Sequence, residues 1–231
     1  MKKPKQNIWI IVPAFNEGRV LAGVLQSLQK SPYQILVVDD GSDDDSRKIC
    51  HQVGVHCIRH KVNLGQGAAL QTGMDFCQEI GAEMVVHFDA DGQHRVEDID
   101  RLLAQLQLGK GDVILGSRFL TKEDKREVPF QRRMLLQMAR ILQFLLTGLW
   151  LSDAHNGLRA LNRKALCAIK LEQSGRAHAT EILQQIKEKE LSYAEVPVHI
   201  TYSHYSTSKG TSIWDAFQVL EDLLVKRKRQ T

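Results

Sequence analysis

The chain has 231 residues, 43% of them hydrophobic and 25% charged, with a formal net charge of +4. This length and composition fit a single α/β domain over residues 1–231 that buries a full core, and +4 is too small to point to nucleic acid. The four cysteines (Cys50, Cys57, Cys77, Cys167) form no C-x-x-C pair and sit in or beside apolar stretches, as small core residues in a reducing compartment do, rather than as a zinc site or disulfide frame.

Met1 to Gln6 is polar and basic with no long apolar stretch behind it, so no cleaved secretion signal is expected. Ile8 to Val12 is an apolar run ending at Pro13 and reads as a buried strand. Val20, Leu21, Val24, Leu25 and Leu28 recur at helical spacing. Ile35 to Val38 is a second strand, stopped by Asp39-Asp40-Gly41-Ser42, with Ser42 placed to cap a helix through Cys50. His56 to Ile58 is a weak third strand, and Gly67 to Ile80 has helical periodicity. Met84 to Phe88 is a strand stopped by Asp89-Ala90-Asp91-Gly92. A helix over Val96 to Leu106 and a strand over Val113 to Leu115 follow.

Alternating apolar strands and helices predict a mostly parallel, Rossmann-like central sheet covered on both faces. Ligands of such sheets sit beyond the carboxyl ends of the strands. Here those ends carry Asn16-Glu17, Asp39-Asp40, Asp89 to Asp91 and Ser117-Arg118, and three acidic strand ends on one edge mark a site.

The second half differs. Met134 to Leu151 is apolar except for a narrow stripe of Gln137, Arg140, Gln143 and Thr147, the pattern of a fully buried helix or one lying in a membrane interface. Ile213 to Val225 is amphipathic and runs into Lys226, Arg227, Lys228 and Arg229, which suit either solvent or anionic headgroups. No segment reaches the roughly 18 uninterrupted apolar residues of a spanning helix.

Asp89 and Asp91, two carboxylates where a strand becomes a loop, can face one hard cation; Mg²⁺ and Mn²⁺ take oxygen ligands and keep places open for phosphates. Gln93 can add a carbonyl oxygen, and His94 lies alongside. Asp39 and Asp40 can accept hydrogen bonds from a ribose or a base, or serve an Asx turn. Asn63-Leu64-Gly65-Gln66-Gly67 opens a helix but lacks the Gly-Lys-Ser/Thr of a Walker loop.

Val12-Pro13-Ala14-Phe15-Asn16-Glu17, Val38-Asp39-Asp40-Gly41-Ser42, Asn63-Leu64-Gly65-Gln66-Gly67-Ala68 and Asp89-Ala90-Asp91-Gly92-Gln93-His94, in that order, resemble the family 2 glycosyltransferases of GT-A fold. Gly116-Ser117-Arg118-Phe119, the stretch from Asp153 to Ala160, and Glu195-Val196-Pro197-Val198 are similar to the branch of dolichol-phosphate mannose synthases and related polyprenyl-phosphate glycosyltransferases. The resemblance covers nearly the whole chain and implies a metal-dependent, inverting transferase. It would move a sugar from a GDP- or UDP-linked donor to a polyprenyl phosphate, peripherally on the cytoplasmic face of a membrane. It divides the domain into a nucleotide-sugar half, 1–118, and an acceptor half, 119–231.

By the same resemblance Pro13, Ala14, Asn16, Glu17, Asp39, Asp40 and Gly67 hold the nucleotide, and Lys209 closes over the diphosphate. Asp89, Asp91 and Gln93 hold Mg²⁺ or Mn²⁺, and Arg118, Arg132, Arg133 and Arg159 meet an acceptor phosphate. Asp91, Arg118 and Asp153 are the implied catalytic residues. Asn156 and Leu158 stand where the family has Cys or Ser and Phe, and no arginine directly precedes Ser208-Lys209. A saccharide hydroxyl acceptor, with Asp153 or Glu181 as base, and a non-catalytic nucleotide-sugar-binding subunit are the alternative readings.

Overall fold

The structure, a computed structural model, describes residues 7–120, 134, 141, 144–145, 147–153, 156–175 and 177–201. Arg132, Arg133, Lys209, the amphipathic stretch 213–225 and the basic run after it lie outside the described residues.

The strands are β1 (Ile8–Ala14), β2 (Gln34–Asp39), β3 (His56–Arg59), β4 (Met84–His87), β5 (Val113–Ser117), β6 (Arg159–Asn162) and β7 (Tyr193–Pro197). The helices are α1 (Leu21–Leu28), α2 (Ser46–Val53), α3 (Gln66–Glu79), α4 (Glu97–Gln107), α5 (Arg163–Ala168) and α6 (His178–Glu188). One sheet runs β3-β2-β1-β4-β6-β5-β7. All its pairs are parallel except those of β6, which enters antiparallel between β4 and β5. The second half of the chain therefore completes the sheet that the first half begins.

Apolar side chains of each strand alternate between two core layers. Ile10, Val12, Val37 and Val86 pack with α1, α2 and α4 on one face. Ile11, Val38, Val85 and Leu161 pack with α3, α5 and α6 on the other. Every residue of β1 is buried, as a central strand of continuous apolar sequence requires. Pro13 is tolerated there because the β1–β4 ladder ends at Ile11↔His87, before the proline is reached.

Two local expectations change. Ser42 does not cap α2, which starts later, at Ser46; instead its amide donates to Asp39 and its hydroxyl accepts from the Asn16 amide. Of the cysteines, Cys50 and Cys77 are core residues, but Cys57 is half-buried and Cys167 is exposed.

Gly67 owes its place to packing. A Cβ there would collide with the Gln173 carbonyl and stand 2.9 Å from His178 Cβ. Its own amide donates to the Ser174 carbonyl at 2.8 Å. Gly67→Ala should therefore lower unfolding free energy by about 1–3 kcal/mol through overpacking, read from urea titration.

Candidate active site

Because β2, β1, β4 and β5 run the same way, their carboxyl ends share one edge, and antiparallel β6 begins there with Arg159. The structure brings Pro13, Ala14, Asn16, Glu17, Asp39, Asp40, Asp89, Asp91, Arg118 and Arg159 to that edge.

On its β2 side the two adjacent aspartates have different tasks. Asp40 accepts from the Leu64 amide (2.9 Å), the Gly65 amide (2.7 Å) and His60 Nδ1 (2.7 Å), so its carboxylate is committed to the turn before α3. Asp39 is fully buried. Its Oδ1 accepts from the Ser42 amide at 3.0 Å, while Oδ2 lies 3.4 Å from Arg59 Nε without a hydrogen bond. Asn16 sits at φ 55°, and its Oδ1 accepts from the Asp43 amide, bracing the β1–α1 turn against the β2–α2 turn. A cleft of about 550 Å³ adjoins this brace, lined by Asn16, Arg19, Asp44 and Lys48 among others.

Asp89 and Asp91 follow β4. Asp89 Oδ1 accepts from Gln66 Nε2 at 2.9 Å, and Oδ2 lies 3.3 Å from His94 Nε2. The Gly157 backbone lies directly on the Asp89 carboxylate, where any Cβ would collide. Burial raises the Asp89 pKa, but the His94 hydrogen bond and the positive charge of Arg159 outweigh it and hold the carboxyl below the usual range. Asp91 moves the opposite way: burial, then the negative charges of Asp89 and Glu17, raise it. Among the described residues, Asp91 accepts one hydrogen bond, from the Gln93 amide at 3.0 Å. No three His, Cys, Asp or Glu side chains of the described residues stand ready as a metal cluster.

Beyond β5, Asp153 takes Arg118 Nε at 2.6 Å, Nη2 at 2.7 Å and the Arg118 amide at 3.0 Å, a buried bidentate pair. Glu195 of β7 fixes the segment that carries Asp153 by accepting from the Ser152 amide and hydroxyl. Glu181 accepts the Glu172 amide on one oxygen and the Gln173 amide on the other. Both carboxylates weighed as bases are thus engaged in holding other groups.

Sequence reasoning did not single out the buried polar group behind Asp89. His87 ends β4 and pairs across the ladder with Arg159; both are buried, His87 2% exposed and Arg159 3%. Burial, then the charges of Arg159 and His178, push the His87 pKa down to about 3. Burial lowers Arg159 to about 10, so it stays cationic beside Asp89 and Asp153. His178, at the start of α6, donates from Nδ1 to the Gly175 carbonyl at 2.8 Å, and burial lowers it to about 4. The available signal was a histidine inside the run Val85-Val86-His87-Phe88 just before an Asp-x-Asp.

The family model "Glycosyl transferase family 2" matches residues 9–169. A UDP-N-acetylglucosamine–dolichyl-phosphate N-acetylglucosaminyltransferase of Methanococcus voltae is 30% identical over 238 residues, covering 94% of this chain and 95% of that one. A polyprenol monophosphomannose synthase of Mycolicibacterium smegmatis is 30% identical over 233 residues, covering 95% and 88%. Among solved structures, the glucosyl-3-phosphoglycerate synthase of Mycobacterium tuberculosis with UDP superposes with a TM-score of 0.69. It is 18% identical, with 96% of this chain and 80% of that one covered, a likeness of fold. The same synthase has been crystallised with Mn²⁺, UDP and glucosyl-3-phosphoglycerate. With that family match over most of its length and the GT-A sheet beneath it, the chain belongs to glycosyltransferase family 2.

Proposed function

We propose that the protein transfers a sugar, with inversion, from a GDP- or UDP-linked donor to a polyprenyl phosphate at a membrane surface. The observation that carries this reading is the engagement of Asp153 and Glu181. A saccharide hydroxyl needs a base within hydrogen-bond reach, whereas a phosphate monoester, with a second pKa of about 6, already presents anionic oxygens at neutral pH. The relatives named for dolichyl-phosphate and polyprenol-monophosphate chemistry support the same acceptor class.

On this reading the nucleoside lies over Pro13 and Ala14, with Glu17 alongside and the buried, partly unpaired Asp39 carboxylate as acceptor for it. Asp40, which accepts from the Leu64 and Gly65 amides, and Asn16 lie beside it as further groups of the nucleotide site. Asp89 and Asp91, with Gln93, are the residues to hold Mg²⁺ or Mn²⁺. They fit such an ion by their chemistry, two carboxylates and an amide oxygen after one strand, with Asp91 accepting only the Gln93 amide among the described residues. Bound there, the ion neutralises charge on the departing diphosphate. Asp153 fixes the guanidinium of Arg118, so that its fork is presented in one orientation to the acceptor phosphate. Arg132 or Arg133 adds a second cation, and Lys209 closes over the diphosphate. An acceptor oxygen then bonds to the anomeric carbon as the carbon–oxygen bond to the diphosphate breaks. No proton has to be taken up by the protein.

Membrane contact falls to the second half. Positions 134, 141, 144, 145 and 147 are helical. Met134, Ile141, Leu145 and Trp150 are each more than half exposed, and Trp150 stacks edge-on against Phe144. Among the described residues no helix is long and apolar enough to cross a membrane, so this exposed face supports lying in the interface.

The test is an assay of the purified full chain with Mn²⁺, a panel of GDP- and UDP-sugars, and either polyprenyl phosphate or a free oligosaccharide. Transfer to polyprenyl phosphate is expected. Transfer only to the oligosaccharide overturns the proposal.

A further inference from the structure

Six buried side-chain atoms of the described residues have no hydrogen-bond partner in the protein: Asp39 Oδ2, Ser46 Oγ, both ring nitrogens of His87, His94 Nδ1 and Asn156 Nδ2. Four of the six lie around Asp89. His94 touches its carboxylate, and Asn156 precedes Gly157, whose backbone rests on it. His87 lies one step deeper on the same side, because the intervening Phe88 and the following Ala90 both belong to the opposite core layer. Leaving such atoms unpaired costs about 1–3 kcal/mol each, so two of them on one buried ring call for a functional explanation.

The surroundings define what would satisfy them. Arg159 stands across the ladder from His87, on the same face of the sheet, and offers only donors. Asn156 Nδ2 is also a donor. His178 gives its Nδ1 proton to the Gly175 carbonyl, which leaves Nε2 to accept. His87 presents one nitrogen on each side of its ring, neither engaged. A carboxylate or phosphate only accepts, a methyl group does neither, and a hydroxyl does both. Gln66, at the start of α3, donates to the other oxygen of Asp89.

We infer that His87, with Arg159 and His178, reads a ring hydroxyl of the donor sugar and so selects the donor. The inference rests on the reading of Asp89 as the diphosphate end of a nucleotide-sugar site. It assigns to His87 a specificity role that stability alone disfavours. An apolar residue of similar size would remove two unsatisfied atoms from the core.

The test is calorimetry in Mn²⁺ on the full chain and on His87→Met and His87→Gln. The ligands are UDP, GDP, their common hexose conjugates and the monodeoxy analogues of the preferred conjugate, with thermal melting run in parallel. In the natural protein, loss of one particular ring hydroxyl should weaken binding at least about tenfold. His87→Met should melt no lower than the natural protein and bind the bare nucleoside diphosphate equally well. It should bind the parent sugar and that deoxy analogue alike, and His87→Gln should recover part of the difference. A His87→Met protein that still discriminates tenfold overturns the inference while leaving the donor site intact. If the natural protein binds neither UDP nor GDP, the donor reading falls, and this inference with it.

Discussion

Asp91→Asn should abolish sugar transfer, by roughly a thousandfold, and at the same time raise the melting temperature at neutral pH. On the proposed cation role, the activity loss follows from removing a charge that would act where the diphosphate leaves, since preorganised groups of that kind are worth about 10²–10³ each in rate. The stability gain follows from the direction of its titration. Burial and the charges of Asp89 and Glu17 raise the Asp91 pKa, so the folded state resists ionising it. A carboxyl raised in the folded state favours folding below its unfolded pKa, near 4. That contribution is lost as pH rises through the raised folded value. The gap in melting temperature between Asp91→Asn and the natural protein should therefore be small near pH 3 and open as pH climbs.

Asp89 carries the opposite sign. Its pKa is depressed, so its contribution is present above the unfolded pKa and disappears as pH falls through the folded one. Asp89→Asn should therefore lower the melting temperature at neutral pH, where Arg159 would lose one of its two buried counter-charges. Mn²⁺ should raise the melting temperature of the natural protein by mass action and leave Asp91→Asn nearly unmoved. Melting curves across pH, with and without Mn²⁺, and product release assays read all of this. An Asp91→Asn protein that keeps a tenth of its activity would remove the cation role assigned to that side chain.

The two aspartates differ through near neighbours, His94 and Asp89 itself, and through distant ones, Arg159 and Glu17, and the distant ones mark how far the sequence could be read. Strands β1 to β5 were legible to within two residues: β1, β2, β4 and β5 are apolar runs that the sheet buries almost continuously, while the edge strand β3, with no buried residue, left only the short run His56 to Ile58. β6 was not. It is four residues long and bounded by Arg159 and Asn162, both tied to charged or polar partners rather than to the core. β7 sits at the sheet edge with only Val196 buried, so it shows no apolar run. Helix α5, at six residues, is too short for periodicity to appear.

At the site, the place of Asp89 and Asp91 at the carboxyl end of a buried strand was legible, because the apolar run before them stops there. The division of labour between Asp39 and Asp40 was not, because it depends on the turn at Leu64-Gly65 folding back over β2. Nor was the polar floor behind Asp89, which exists only because antiparallel β6 returns to lie beside β4.

Asp153 gives the second large effect, and it separates the two acceptor readings. Its carboxylate is 1% exposed and grips an Arg118 side chain that is 11% exposed. Removing one partner of such a pair leaves a buried charge uncompensated and costs about 3–5 kcal/mol. For a chain of this length that lowers the melting temperature by on the order of 10 °C. Asp153→Ala should do so, and should raise KM for the acceptor because the Arg118 fork is no longer held. The double replacement Arg118→Met with Asp153→Leu should recover most of the stability, because an apolar pair of similar volume removes the desolvation problem. It should still fail to transfer sugar to polyprenyl phosphate, while binding Mn²⁺ and nucleoside diphosphate as the natural protein does. A general base would behave otherwise: Asp153→Ala would keep its acceptor KM and lose kcat together with the acid limb of the pH profile, with the same fall in melting temperature. That second pattern would return the hydroxyl acceptor to first place. The first would mean that Asp153 acts through Arg118, holding a phosphate-binding cation at the end of β5.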